Sequence, residues 1–453
     1  MRILLVSLNR VRFPYPVYPL GVDHVAGAIS PPHEVRILDL CPLDPAEIGP
    51  ALARAVRELQ PGAVGLSIRN VDNEDQLSVG AFLDDLRHAV AAVRSATAAP
   101  VVLGGSGFTL YAAELMEALR PDYGLVGEGE RARALFDAIA RGASAERLPG
   151  VALPGRPPPP PRPVEGGARA PRAPAGGNPA LDFYLQRGGI LNLQTRRGCA
   201  FQCVYCSYPL IDGRASRATP ADAAAAEAKH LEAAGARYLF ITDSVFNGDP
   251  AHALAVADAF RRARLGIPWS AYFAPLAPPP GFYDRMAEAG CTHVEFGTES
   301  LSQAMLRRLR KAFRPEHVLA AHEAARRAGL HVAHFLLLGG PGETAATVDE
   351  TLDAAEHLDA AALFFFCGMR IHPGTELAVL ARAAGQIAPG QNLLAPVFYE
   401  PAAISLAAIA ERVARRAAGR RGWIVGSGSE RAAALQRMYE HGHTGPLWEK
   451  LVA

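Results

Sequence analysis

The sequence is short of net charge, of cysteine and of long hydrophobic runs, and each shortage excludes something. Lysine and arginine total 46 against 45 aspartates and glutamates, leaving +1 over 453 residues. That balance makes no broad electrostatic case for nucleic acid as a partner. No apolar stretch approaches the roughly 20 residues that span a bilayer. No basic amphipathic helix marks a membrane surface. No secretory leader is visible, because Met1-Arg2 runs straight into the strand-like Ile3-Leu4-Leu5-Val6. Only six cysteines occur. Three of them crowd one short loop, which suits a disulfide framework poorly. A cytoplasmic, reducing setting is therefore expected. What remains is an ordinary globular composition, 49% hydrophobic and 20% charged, in a chain long enough for two or three domains.

The residues that stand out are Arg197-Gly198-Cys199-Ala200-Phe201-Gln202-Cys203-Val204-Tyr205-Cys206, directly after the apolar run Ile190 to Leu193. Three thiolates on one tight loop can hold three irons of a four-iron cluster and leave the fourth iron open to a chelating ligand. Other readings exist. A structural zinc site wants four ligands, and the nearest downstream histidine is His230. Unremarkable core thiols are a further alternative. Cysteine clusters outside secreted proteins read first as metal or redox sites. The remaining cysteines, Cys41, Cys291 and Cys367, sit in apolar contexts and read as buried thiols.

The CxxxCxxC spacing, with an aromatic residue before the last cysteine, resembles the radical S-adenosylmethionine (SAM) superfamily. That resemblance implies a [4Fe-4S] cluster on Cys199, Cys203 and Cys206, with SAM chelating the open iron and Tyr205 lying over the loop.

Upstream, residues 1–150 alternate strand candidates (3–8, 35–40, 63–68, 101–103 and 123–126) with helix candidates near 23–30, 45–60, 79–95, 109–120 and 130–141. Five βα units without hairpin signals predict a parallel, doubly wound, flavodoxin-like (Rossmann-type) sheet. Ligands of such sheets sit outside the carboxyl ends of the strands. The unusual residues lie there: Asn9 through Leu20 and Gly21, Arg69 through Asn73, Gly104-Gly105-Ser106-Gly107 and Gly127-Glu128-Gly129-Glu130. Glycine permits tight turns and close approach to a ligand. Ordinary βα turns are the alternative explanation. Ahead of the cysteine loop, however, these turns resemble the cobalamin-binding domain of cobalamin-dependent radical SAM enzymes, which implies cobalamin on these residues. The Asp-x-His-x-x-Gly motif that supplies a lower cobalt ligand in other cobalamin proteins is absent; Asp23-His24 does not fit it.

Residues 151–180 change character. The five prolines Pro157 to Pro161 exclude a helix or a central strand, and the segment reads as an extended linker. From 181 to about 390, six strand candidates (190–194, 237–242, 269–273, 293–296, 331–337 and 362–366) alternate with helical patterns at 220–234, 250–265, 279–289, 301–328 and 344–358. Six units are too few for a closed eight-stranded barrel and match the partial (βα)6 barrel that the resemblance implies.

Barrel chemistry sits at the carboxyl ends of the strands. There the resemblance implies SAM contacts from Asp243 and Ser244, from Glu299 in preference to Glu295, and from the backbone of Gly339 and Gly340. Arg370, after the sixth strand, is the candidate catalytic residue at the barrel mouth. Residues 391–453 read as a mostly helical tail, with helices near 403–418 and 429–440, covering the mouth or the interdomain cleft.

Taken with the resemblance, the chain is expected to cleave SAM reductively to a 5′-deoxyadenosyl radical and to methylate an unactivated carbon of a small molecule or natural product. An electron donor such as flavodoxin or ferredoxin is implied. A radical cyclisation or rearrangement without methyl transfer, or a non-catalytic corrinoid or metal sensor, are the alternatives.

Overall fold

The computed structural model describes residues 1–164 and 178–452. The first sheet contains β1 (Arg2–Ser7), β2 (Glu34–Asp39), β3 (Ala63–Ser67), β4 (Val101–Gly104), β5 (Tyr123–Leu125) and β6 (Val151–Ala152). Their order is β2-β1-β3-β4-β5-β6, parallel except for β6, which pairs antiparallel with β5. β1 and β3 read as near-continuous buried runs, as a sheet covered on both faces requires. Helices Leu20–Ile29 and Ala132–Ala140 bury Val22, Ala26, Leu135 and Phe136 on one face. Helices Pro45–Leu59, Leu83–Ala96 and Ala112–Leu119 cover the other. The strand order reverses at β1, so a crevice opens between the carboxyl ends of β1 and β3.

The second sheet is a curved, parallel array. Its strands are β7 (Ile190–Leu193), β10 (Tyr238–Ile241), β11 (Trp269–Phe273), β12 (Cys291–Glu299), β13 (His331–Leu338), β14 (Ala361–Cys367) and β17 (Trp423–Val425). Their order is β17-β14-β13-β12-β11-β10-β7, so the array is not closed by pairing of its end strands. Two small antiparallel pairs decorate it. β8 (Arg196–Arg197) with β9 (Arg217–Ala218) brackets the cysteine loop, and β15 (Met369–Arg370) pairs with β16 (Phe398–Tyr399). The six expected strands are present.

The seventh, β17, comes from the tail that was expected to be a helical cover. The two expected tail helices are present, at Leu406–Ala417 and Ala432–Glu440; between them β17 continues the array, and the residues after them fill it from below. Trp448 Nε1 donates to Glu295 Oε1 at 3.1 Å, and Glu449 meets His293 Nε2 at 3.1 Å. Short apolar runs such as Trp423-Ile424-Val425 carry no period long enough to separate strand from helix.

Other boundaries also moved. The expected helix 301–328 is two helices, Gln303–Arg308 and Pro315–Arg327. Arg310 has φ of 55° between them, and Pro315 starts the second helix, where its missing N–H costs nothing. The expected helix 109–120 breaks at Tyr111. Val151–Ala152 belongs to the first sheet although the linker was expected to start there. Residues 153–164 lie along the turn after β5, where Val164 N donates to Glu128 Oε2 at 3.0 Å. The rest of the expected linker, 165–177, lies outside the described residues.

The two sheets share a core. Val204, Leu309, Met369 and Ile371 of the second domain pack in one cluster with Leu66, Leu103 and Leu115 of the first. Buried polar contacts fix the register of this junction. Arg370 is 5% exposed; its Nε meets Asp72 Oδ2 at 2.9 Å, and its other nitrogens donate to the carbonyls of Ile371 and Leu393 at 2.8 and 2.6 Å. Tyr111 Oη lies 2.9 Å from His372 Nδ1.

The guanidinium of Arg370 is therefore consumed in holding the domains together, which corrects its expected catalytic role. Sequence position set it after a barrel strand; the acidic partner 298 residues away was invisible. Arg370→Met leaves Asp72 buried without a counter-charge. It should cost about 3–5 kcal/mol of stability, read as a lowered denaturant midpoint, and Asp72→Asn in the same chain should recover part of the loss.

Candidate active site

The cysteine loop is held from several sides. Gly198 has φ of 84°, and a Cβ there would stand 2.1 Å from the carbonyl oxygen of Ala215, so only glycine lets the chain turn from β8 into the loop. Cys199 N donates to Gly213 O at 3.1 Å, and Val204 N donates to Leu309 O at 3.3 Å. Leu377 N donates to Val204 O at 2.8 Å. Asp243 locks the approach. Its carboxylate accepts from Thr195 N at 2.7 Å, Thr195 Oγ1 at 2.6 Å and Arg196 N at 2.9 Å. It is 1% exposed, and burial raises its pKa to about 6 against the pull of those donors. A carboxylate so occupied positions the strand that enters the loop. Ser244 beside it is half-buried.

Across the loop stands a buried pair. Lys311 Nζ meets Glu299 Oε2 at 2.6 Å, and Tyr205 Oη donates to Glu299 Oε1 at 2.7 Å. Lys311 and Glu299 are 9% and 11% exposed at their side chains. Burial pulls the lysine pKa down, but the Glu299 carboxylate, joined by Cys203 and Cys206 once they ionise, more than reverses this, so it stays charged. Glu299 itself has φ of 57°, an uncommon conformation for a residue with a side chain. Lys311 is the residue that sequence reading missed. It lies between the two helices that were expected to be one, and Pro315 was the signal of that break.

Burial raises Cys203 and pushes Cys206 up to about 12, so without a metal these thiols are protonated. Among the described residues no three His, Cys, Asp or Glu side chains are placed to hold one metal ion. The three spaced thiols, with a buried cation beside them, fit an anionic cluster that takes one thiolate per iron and do not fit single zinc.

Gly339 and Gly340 follow β13. A Cβ on Gly339 would lie 2.5 Å from Leu406, and one on Gly340 would lie 2.8 Å from Met369. Glu343 shapes this turn by accepting from Gly339 N at 3.1 Å and from Thr347 Oγ1 at 2.6 Å. Glu295 lies deeper, on the inward face of β12, 4% exposed.

A cavity of about 400 Å³ joins the two domains. Its first-domain wall carries Asn9, Leu20, Gly21, Arg69, Gly104, Gly105, Ser106, Gly127, Glu128 and Gly129. Its second-domain wall carries Gln194, Arg197, Tyr208, Phe240, Thr242 and Tyr272. Two sequence candidates do different work. Asn73 braces its own loop, donating to Ser78 O at 2.6 Å and accepting from Gly80 N at 2.9 Å. Gly107 permits close packing, since a Cβ there would stand 2.9 Å from Arg69 O.

The cavity wall fits a corrinoid on two observations. Gly105, with φ of 101°, carries the backbone where a Cβ would collide with Ile68 O at 2.4 Å. Asn9 Nδ2 is buried with no acceptor among the described residues, and an amide-rich ligand supplies acceptors. Glu128 ties this wall to the cysteine loop. It is ion-paired with Arg217 and lies 3.5 Å from Arg197, while Glu130 meets Arg197 at 2.9 Å.

Comparison with known proteins agrees with this geometry. The radical SAM superfamily profile matches residues 193–355, and the B12 binding domain profile matches residues 6–136. The chain thus carries a B12-binding domain followed by a radical SAM domain, and it is similar to cobalamin-dependent radical SAM methyltransferases. Among its relatives is the tryptophan 2-C-methyltransferase of Streptomyces laurentii, 27% identical over 83% of this chain and 74% of that one. An uncharacterized methyltransferase of Pyrococcus horikoshii is 26% identical over 79% of this chain and 77% of that one. The radical SAM methyltransferase TsrM from Kitasatospora setae, solved with cobalamin and a [4Fe-4S] cluster, superposes with a TM-score of 0.75. It is 26% identical over 86% of this chain and 76% of that one. The cofactors of this enzyme are accordingly a [4Fe-4S] cluster, SAM and cobalamin.

Two measurements test the site. Burial raises Glu295 from 4.5 to about 7. A raised carboxyl contributes its full share below the ordinary value and loses it as pH climbs through the folded one. Glu295→Gln does not titrate, so between pH 5 and pH 8 it should gain on the parent by up to roughly 3 kcal/mol. Chemical denaturation at the two pH values reads this. Lys311→Met removes a buried cation beside the thiols and strands Glu299. It should lower the iron retained after anaerobic reconstitution, measured per chain.

Proposed function

We propose that this enzyme transfers a methyl group from SAM, by way of cobalamin, to a carbon atom of a small organic molecule. The observation that carries this reading is the shared cavity, whose glycine-turn wall and barrel wall face one space. The relatives support it. The Streptomyces laurentii protein bears the name of a carbon methyltransferase, and TsrM has been solved with its tryptophan substrate and a SAM analogue bound.

The cofactors supply the chemistry itself: reductive activation of SAM at the cluster and methyl donation by cobalamin. The chain's own residues do the rest. Cys199, Cys203 and Cys206 hold the cluster, and Lys311 offsets its negative charge. Asp243 and Gly198 fix the loop that presents it. The turns at Gly104–Gly105 and Gly127–Gly129 seat the corrinoid against β1 and β3. Gly339, Gly340 and Glu299 frame the place for SAM at the carboxyl ends of β13 and β12. The shared core and the Arg370–Asp72 pair keep the two walls at a fixed spacing, which effective group transfer requires.

A protein electron donor of the flavodoxin or ferredoxin kind would reduce the cluster. A reducing compartment, the cytoplasm, suits it and the three lone thiols Cys41, Cys291 and Cys367. The near-zero net charge speaks against a nucleic-acid substrate.

The test is anaerobic reconstitution with iron, sulfide and hydroxocobalamin, followed by SAM carrying a deuterated methyl group. The expected result is about four irons and one corrinoid per chain, and label on the protein-bound corrinoid by mass spectrometry. Cys203→Ala should lose the iron. Full cofactor loading with no label transfer would refute methyl transfer and leave a radical rearrangement in its place.

A further inference from the structure

The stretch Arg307-Arg308-Leu309-Arg310-Lys311-Ala312-Phe313-Arg314 carries five cations and no carboxylate in eight residues, within a chain whose net charge is only +1. Lys311 turns inward to Glu299. The four arginines are exposed. Arg310 meets Glu376 at 2.7 Å and Arg314 meets Glu316 at 3.7 Å, and among the described residues Arg307 and Arg308 meet no carboxylate. Basic residues in a last turn complement a helix dipole. Here that helix, Gln303–Arg308, is only six residues long, and Arg310 and Arg314 lie beyond it.

This basic stretch borders an exposed apolar residue. Val379 is 58% exposed, more than any other large hydrophobic side chain among the described residues. It stands on the helix Glu376–Ala383, three residues after the Glu376 that pairs with Arg310 and three before the exposed Arg382, so the three are successive neighbours along that helix. The stretch and the helix are also the two segments that grip the cysteine loop. Val204 N donates to Leu309 O, and Val204 O accepts from Leu377 N. Val204, Leu309, Leu377 and Ala378 share one buried cluster. Cys199, Cys203 and Cys206 are themselves only half-buried, and Ala200 and Gln202 between them are exposed.

An apolar residue rimmed by arginines, on the segments that hold the cluster loop, fits a protein partner of opposite charge. The rim steers encounter and the apolar residue gives contact. A nucleic acid would ask for aromatic side chains beside the arginines; the exposed side chain here is aliphatic. We infer that the face made by residues 307–314 and the helix Glu376–Ala383 docks a small acidic electron-carrier protein, which delivers electrons to the cluster by way of the loop around Val204. This inference rests on the reading of the three cysteines as cluster ligands reduced by a protein donor, and it names the surface that donor meets. With a flavodoxin, the hydroquinone anion gives up one electron and becomes the neutral semiquinone, the oxidised cluster gains that electron, and no proton moves.

The test mixes flavodoxin hydroquinone with the full chain, reconstituted with cluster and cobalamin and saturated with SAM, and follows the paramagnetic resonance of the reduced cluster in freeze-quenched samples. The parental rate should fall as salt is raised. Arg307→Glu combined with Arg314→Glu should lower the low-salt rate about tenfold and flatten its salt dependence. Val379→Glu should lower it as well. Reduction by a photochemically generated deazariboflavin radical, which is small and uncharged, should be equal in all three proteins, as should iron and corrinoid content.

An unchanged flavodoxin rate in the charge-reversed variant would overturn the inference. So would an equal loss with both reductants, which would make the arginines part of the cluster's own setting. Binding of transfer RNA that the reversal abolishes, with the flavodoxin rate untouched, would overturn it in favour of a nucleic-acid contact. Absence of label transfer to the corrinoid, with donor-specific reduction intact, would refute methyl transfer and leave this inference standing.

Discussion

The junction between the domains is the constraint on which the rest of this structure depends. Two parallel sheets, each able to bury its own strands, are joined through an apolar cluster and a few buried ion pairs. Glu128, 6% exposed, takes Arg197 and Arg217 from the strand pair that brackets the cysteine loop. Arg370 takes Asp72 from the loop after β3. Charges buried this deeply are costly unless paired and hydrogen-bonded, so each pair admits little slack in position. The cofactor turns of one domain and the cysteine loop of the other are thereby held in one frame.

The same logic explains why several polar residues at strand ends do not face open space. Asp243 spends its oxygens on Thr195 and Arg196, and Glu343 on the glycine turn after β13. Both are buried acceptors matched to backbone donors, the arrangement that gives a loop a single shape. The cost of a strained φ at Glu299 is offset by its contacts with Lys311 and Tyr205. The candidate site is thus framed by side chains that fix backbone.

Much of this was legible from residue order. The spacing of Cys199, Cys203 and Cys206 is local and chemically specific. The alternation of apolar runs with helical patterns placed eleven strands, because parallel strands covered on both faces leave continuous apolar runs. The glycines after β4 and β5 stand out because few other residues permit those turns. Less was legible about roles. Arg370 and Asp72 are separated by 298 residues and no local pattern links them. Lys311 was hidden in a helical period that the chain does not follow through Arg310. β17 is three residues long, and its strand character comes from pairing with β14.

The sequence by itself determined the α/β architecture, the spacing of the three candidate cluster cysteines and the glycine turns beside the crevice of the first sheet, since those follow from spacing, periodicity and backbone freedom over short stretches. Only the tertiary structure decided which charged residues bind the domains together and which stand beside the thiols. It likewise decided that the carboxyl-terminal residues complete the barrel from below. Those outcomes depend on partners distant in the chain, where burial and pairing are settled by packing and not by neighbours in the sequence.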